Sequence, residues 1–268
     1  DSKGKFDSHR TNSSNLASEG SLLLTKNRTL KVSKSSIKSY QRSPKAPFTT
    51  DTLLQTAGSR YSWKPSNTMR LAQGLYEAGY ITYMRTDSTR TSSSSRAVAK
   101  EKITEMWGSE QVGKGVVYAK KASDQDAHEA IRPTNPSVEL PSGIDSSQAK
   151  LYRLIWSCFI GSQMINSQWS SMKIEVLTDG FSKTFDGDTK WRTEPGWELA
   201  FEKIDKKPLT SPPNPEIKEN VILNLDDKEN NPNLIEDETK PPARYTQHGL
   251  VALMKSEGIG RPSTYAAT

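Results

Sequence analysis

The sequence predicts an α+β fold, with a mostly helical domain carried inside a β-rich one, and three observations predict it. Between residues 47 and 165, apolar residues recur at three- and four-residue spacing behind Ser, Thr, Asp or Pro starts and before Gly stops, the pattern of amphipathic helices. On either side of that stretch, short alternating pieces such as Leu30-Lys31-Val32 and Met172-Lys173-Ile174-Glu175-Val176-Leu177 have the period of strands. The later alternating run meets a turn at Thr178-Asp179-Gly180, so it reads as a hairpin available to pair with the N-terminal strands.

Taken in order, residues 1 to 46 carry Ser21-Leu22-Leu23-Leu24 and Leu30-Lys31-Val32 between polar breaks, and both read as strands. A boundary falls at Ser43-Pro44-Lys45-Ala46-Pro47. Thr50 or Asp51 caps a helix through Leu53 and Leu54. Pro65-Ser66 starts a second helix that ends near Gly79, with Met69, Ala72, Leu75, Tyr76 and Gly79 as its stripe. Serines 92 to 95 cap a helix through Val98, Ile103 and Met106 that stops at Gly108, and a further helix runs from Ser146 to about Met164. After the Met172–Leu177 run, Phe181-Ser182-Lys183-Thr184-Phe185 reads as the return strand. Residues 206 to 240 read as a linker rich in Pro and acid. Pro241-Pro242-Ala243-Arg244-Tyr245 opens a last helix through Leu250, Val251 and Met254 that ends at Gly258. The expected domains are 1–46 and 166–205 for the β-rich part, 47–165 for the helical part, and 206–268 for the linker and the start of a further helical domain.

Composition narrows the function classes. Only 33% of the 268 residues are hydrophobic, which implies small cores and much solvated surface. The net charge is +6, yet residues 1 to 46 hold ten Lys or Arg against three acids and carry +7, so the remainder sums to −1. A basic segment suits phosphate through counterion release; a solvated polar terminus is an equal reading. Cys158 is the single cysteine, which excludes an intrachain disulfide or a zinc ribbon and fits a reducing compartment, the cytoplasm or an organelle of bacterial descent. No apolar stretch has the length of a membrane span.

The chemistry concentrates in Ile81-Thr82-Tyr83-Met84-Arg85-Thr86-Asp87-Ser88. Read as a strand, it points Ile81, Tyr83 and Arg85 one way and Thr82 and Met84 the other, with the phenol and guanidinium origins about 7 Å apart, so that both reach one phosphodiester. A tyrosine attacking a phosphodiester needs its proton removed and needs forked cationic donors on the equatorial oxygens, which an arginine supplies. The alternative is an amphipathic Tyr/Arg pair on a half-buried strand.

The surrounding text carries a resemblance. Pro47-Phe48-Thr49-Thr50-Asp51-Thr52-Leu53-Leu54-Gln55, then Thr68-Met69-Arg70-Leu71-Ala72-Gln73-Gly74-Leu75-Tyr76-Glu77-Ala78-Gly79-Tyr80 running into the Tyr83 segment, resembles the bacterial type IA DNA topoisomerases. Asp126-Ala127-His128-Glu129-Ala130-Ile131-Arg132-Pro133-Thr134 and Gly258-Ile259-Gly260-Arg261-Pro262-Ser263-Thr264-Tyr265 match the same family in the same order. Met84, where the topoisomerase III branch has proline, resembles the topoisomerase I branch.

The resemblance implies a toroidal enzyme in which the helical domain interrupts the β-rich one to form an arch. It implies that Tyr83 attacks one strand to leave a 5'-phosphotyrosyl bond and a free 3'-hydroxyl. The other strand passes and the break reseals without ATP, relaxing negatively supercoiled DNA. It assigns Arg85 and His128 to the scissile phosphate, and Gln73, Tyr76, Glu77, Asp87, Arg132, Arg244, Arg261, Ser263 and Thr264 to DNA contacts. On residues alone, Tyr76 reads equally as core, and His128 reads as a helix-surface imidazole with Arg132 one turn later on the same face. Gly260-Arg261-Pro262-Ser263-Thr264 suits a phosphate-receiving helix N-terminus or a plain capped surface helix. The partners implied are single-stranded or negatively supercoiled DNA, for a monomer and without a membrane. The implied cofactor is Mg²⁺, held in the family by an Asp-x-Asp motif and a Glu of an N-terminal acidic domain that nothing in this sequence matches. With the opening at Asp1, that reads as part of a longer enzyme, unable to relax DNA alone. The acidic runs Asp226-Asp227 and Glu236-Asp237-Glu238 read as solvated loop. A non-catalytic single-stranded DNA binding module is the alternative from another class. A tyrosine recombinase needs its tyrosine near the C-terminus, and a reverse gyrase needs a P-loop absent here.

Overall fold

The computed structural model describes residues 11–114, 128–205, 217–225 and 232–267, and they form an α+β protein of two compact units. The chain enters the first unit, runs through the second, returns to the first for 168–194 and 210–242, and supplies the second again with 195–209 and 243–268.

The first unit is a four-stranded sheet in the order β3-β2-β1-β4, with one helix. Its strands are β1 (Thr29–Arg42), β2 (Ser167–Leu177), β3 (Phe185–Glu194) and β4 (Ile222–Asn224). The β2–β3 hairpin is antiparallel, with Ile174 opposite Gly187 and Val176 opposite Phe185. Val32, Met172, Ile174, Val176 and Trp191 alternate onto one face and form its core. Two expectations shift here. The return strand begins at Phe185 rather than Phe181: the Phe181 amide closes the turn onto the Thr178 carbonyl at 3.2 Å, and its ring stacks on that of Phe185 at 5.0 Å. The stretch expected as linker supplies β4, whose Leu223 pairs with Leu30 and packs on the same core.

A larger correction concerns Ser21–Leu24, which is helical and not a strand. Helix α1 (Ser14–Asn27) starts at Ser13, whose hydroxyl accepts from the Leu16 amide, and ends at Arg28 in the left-handed region (φ 58°). Gly20 and Leu24, four residues apart, are its buried positions. A run of consecutive leucines has no period of its own, so the caps and Gly20 decide the outcome.

The second unit is helical: α2 (Thr50–Tyr61), α3 (Pro65–Glu77), α4 (Ser93–Trp107), α5 (Ser146–Gly161), the single-turn α6 (Glu202–Asp205) and α7 (Gln247–Ser256). Helix α5 is capped by Asp145, which accepts from the Ser147 and Gln148 amides, and it buries Leu151, Leu154, Ile155, Phe159 and Ile160. That spine packs with Leu53, Leu71, Leu75, Ile81, Met84 and Ile103 in one core. Cys158 lies inside it, its thiol against the Ala46 carbonyl at 3.3 Å and pushed up to about 12 by burial. The α2 cap is Thr49 rather than Thr50 or Asp51, in a capping box with Thr52. Among the described residues no helix is long and apolar enough to cross a membrane.

Candidate active site

Helix α3 delivers the Tyr83 segment. It ends at Ala78; Gly79, at φ 77°, then turns the chain so that the Tyr80 amide donates to the Leu75 carbonyl at 2.9 Å. From there the chain is clasped on two flanks. On one flank Thr82 donates its amide to the Arg132 carbonyl (2.9 Å) and its hydroxyl to the Ala130 carbonyl (2.7 Å). Thr134 adds its amide to the Tyr80 carbonyl (3.0 Å) and its hydroxyl to the Gly79 carbonyl (2.7 Å).

On the other flank Thr50, fully buried, donates its amide to the Thr86 carbonyl (2.9 Å) and its hydroxyl to the Met84 carbonyl (2.7 Å), and accepts from the Thr86 amide (2.9 Å). The Ile131 amide donates to the Phe48 carbonyl at 2.8 Å, which ties the two flanks together. The 47–55 and 128–134 motifs, distant along the chain, thus meet around one segment.

This is irregular chain with a single bridge, Ile81 to Pro133, and not the regular strand expected. The clasps consume its hydrogen bonds in single pairs instead of a ladder. The face assignment changes accordingly: Ile81, Met84, Thr86 and Ser88 are buried, while Tyr83 and Arg85 are exposed. The His128 segment differs as well. Residues 128–134 are not helical and carry only isolated bridges at Ile131 and Pro133, so Arg132 is not one helical turn from His128.

The exposed side gathers an aromatic group. The Tyr83 ring lies 5.4 Å from that of Tyr76, edge to face at 65°, and 6.1 Å from the half-buried His128 ring, tilted at 42°. Tyr76 is therefore not core; it is exposed beside Tyr83. One turn before Tyr76, Gln73 donates to Glu77 at 2.7 Å along the helix. Arg85 has no hydrogen bond or ion pair among the described residues and is exposed, open to an anionic ligand. Asp87 sits half-buried just beyond it.

Arg132 is occupied differently. Its guanidinium side chain is 11% exposed, donates to Glu129 Oε2 at 2.8 and 2.5 Å and to the Pro133 carbonyl at 2.9 Å. Those bonds brace the 128–134 segment.

Helix α7 packs on α2 through Leu54, Val251 and Tyr265. Arg244, Arg261 and Ser263 are exposed, and none of their hydrogen bonds or ion pairs reaches Tyr83; Thr264 is exposed and accepts from the Arg261 amide at 2.9 Å. Residues 262–267 form turns rather than the helix expected there, because the Thr264 hydroxyl caps back onto Arg261 and Pro262 offers no amide. Sequence reasoning missed Thr50, Thr82 and Thr134 as the clasps. Their only signal was a hydroxyl residue bordering each apolar segment, which is common in any sequence.

Among the described residues no three His, Cys, Asp or Glu side chains gather as a metal site. Asp226-Asp227 lie outside the described residues, and Glu236-Asp237-Glu238 are exposed chain. The donor set described here does not fit a Mg²⁺ centre, and no step is assigned to one.

The chain is similar to known proteins along most of its length. A family model described as "DNA topoisomerase" matches residues 2–268. DNA topoisomerase 1 of Thermotoga maritima is 40% identical over 259 residues, covering 88% of this chain and 37% of that protein. DNA topoisomerase 1 of Haemophilus influenzae is 40% identical over 228 residues, covering 84% of this chain and 25% of that protein. The solved full-length topoisomerase I from Thermotoga maritima superposes with a TM-score of 0.76 at 33% identity, over 98% of this chain and 43% of that one. The chain thus spans well under half the length of these relatives.

Proposed function

The chain belongs to the bacterial DNA topoisomerase family, and from that premise we propose that it is the strand-breaking part of a type IA enzyme that relaxes negatively supercoiled DNA without ATP. The observation that carries the reading is the exposed Tyr83 held between the Thr50 and Thr82 clasps, with Arg85 two residues on and His128 at ring contact.

In the reaction, the Tyr83 phenolic oxygen attacks the phosphorus of one strand. An oxygen–phosphorus bond forms to tyrosine, the bond to the 3'-oxygen breaks, and that oxygen leaves as a hydroxyl carrying a proton. Arg85 presents its fork to the equatorial oxygens as their charge develops. His128 stands where it can hold the phenol's proton or donate to an oxyanion. Tyr76, exposed and edge-on to Tyr83, offers a face for a base next to the break. Gln73, Glu77, Asp87, Arg244, Arg261, Ser263 and Thr264 complete the proposed DNA contacts, with Arg132 acting through the 128–134 segment it braces. The phosphotyrosyl ester conserves the energy of the broken linkage, and its reversal reseals the strand after passage of the other.

Mg²⁺ belongs, on this reading, to a portion of the enzyme other than the described residues. The protein would act as a monomer on single-stranded regions of DNA in the cytoplasm. The test is formation of a denaturant-resistant adduct on end-labelled single-stranded DNA with the remainder of the Thermotoga maritima enzyme supplied: it should map to Tyr83 and vanish in Tyr83→Phe. Salt-dependent binding with no adduct would select the non-catalytic DNA-binding reading instead.

A further inference from the structure

We infer that Lys255 and Asp51 are positioning residues for the Tyr83–Arg85 segment, coupling the seat of α7 to the geometry of the site; the inference rests on the reading of Tyr83 as nucleophile. Asp51 is 3% exposed, a buried carboxylate in the first turn of α2. A buried charge needs a partner and hydrogen bonds to be tolerated. Lys255, in the last turn of α7, donates to Asp51 Oδ1 at 2.6 Å, and the same oxygen accepts from the Thr49 hydroxyl at 2.7 Å. Gln55 approaches the other oxygen at 3.5 Å. No other ion pair joins these two helices among the described residues.

The pair sits one residue from Thr50, whose amide and hydroxyl hold the carbonyls of Thr86 and Met84 on either side of Arg85. Its neighbour Thr49 caps α2, and Phe48 pairs with Ile131. The hydrogen bonds to the Met84 and Thr86 backbone on either side of Arg85 therefore issue from Thr50, within the stretch of chain that Lys255 clamps. The other flank, through Thr82 and Ala130, has no direct hydrogen bond to α7 among the described residues and meets this stretch at the Phe48–Ile131 pair. Lys255 itself is half-exposed, its Nζ directed inward to a partner over two hundred residues away in sequence, which a surface lysine has no reason to do.

The expected consequence is local. In Lys255→Met the stranded Asp51 charge draws water or shifts, and the clasp at Thr50 and Thr86 loosens while the Thr82 flank holds. Lys255→Arg restores a cation.

The experiment combines two readings on this chain. Amide hydrogen exchange should speed up at Thr50 and Thr86 in Lys255→Met by about tenfold, stay unchanged at Thr82 and Arg132, and return toward the parent in Lys255→Arg. Adduct formation on single-stranded DNA, with the remainder of the Thermotoga maritima enzyme supplied separately, should slow by about tenfold at saturating DNA with DNA affinity unchanged within about twofold. Equal exchange at Thr50 and Thr86 in parent and variant, or equal acceleration on both flanks, overturns the inference. So does an adduct rate in Lys255→Met that equals the parent's. If the parent forms no adduct, the reading of Tyr83 fails instead, and the exchange data still decide whether Lys255 controls the segment.

Discussion

At the scale of single residues, the account turns on what each group at the site does. Arg85→Lys keeps a charge but loses the planar fork, so adduct formation should fall by about a hundredfold with little change in single-stranded DNA affinity; a loss confined to affinity would make Arg85 a binding residue only. Thr50→Val removes a buried hydroxyl that both donates to Met84 and accepts from Thr86, which should cost about 1–3 kcal/mol in urea unfolding and slow the adduct further. Cys158 gives a pH test. Its folded value is pushed up from 9.0 to about 12 by burial, and Tyr152 and Tyr61 are raised by the same cause. A group whose value rises on folding keeps its full contribution below the unfolded value. Stability should therefore hold below about pH 9 and decline toward 12 as the unfolded chain ionises first. The urea midpoint of Cys158→Ala should fall less steeply over that window than the parent's.

At the scale of elements, the approach of α7 to α2 depends on Gly58. A Cβ there would stand 2.5 Å from the His248 Cβ, so α7 can seat only over a glycine. Gly58→Ala should cost about 1–3 kcal/mol in denaturant unfolding through overpacking, and a neutral result would show that α7 is free to shift away. Elements also show what the sequence reveals. Helix α3 was legible from Pro65 and its 3-4 apolar spacing, α4 from its Ser92 and Gly108 punctuation, and α5 from the long apolar run behind Ser146. The Ser21–Leu24 helix was not, since its signal lies in a serine cap and a left-handed Arg28 outside the leucines. The Tyr83 segment reads as a strand because residues 82–86 alternate in type, yet its hydrogen bonds go to isolated threonines on two other segments, a tertiary arrangement that local pattern does not encode. The prominence of Tyr83 and Arg85 was legible all the same, because alternation around a buried Met84 survives without a ladder.

At the scale of the whole molecule, motifs separated by scores of residues converge on one segment: 48–50 and 130–134 clasp it, α3 delivers it, and α7 is tied to it through Asp51. Only the resemblance in motif order announced that convergence; periodicity could not, since each contact is long-range. The chain spans 37% of its Thermotoga maritima relative, so the central claim is best tested with the rest of that relative provided. The decisive measurement incubates this chain and end-labelled single-stranded DNA with Mg²⁺ and the remainder of that relative, then maps any denaturant-resistant adduct by mass spectrometry. The account predicts a 5'-phosphotyrosyl adduct on Tyr83, dependent on both pieces and absent in Tyr83→Phe. An adduct on another residue, or DNA binding without any adduct while the intact Thermotoga maritima enzyme forms one, would contradict it.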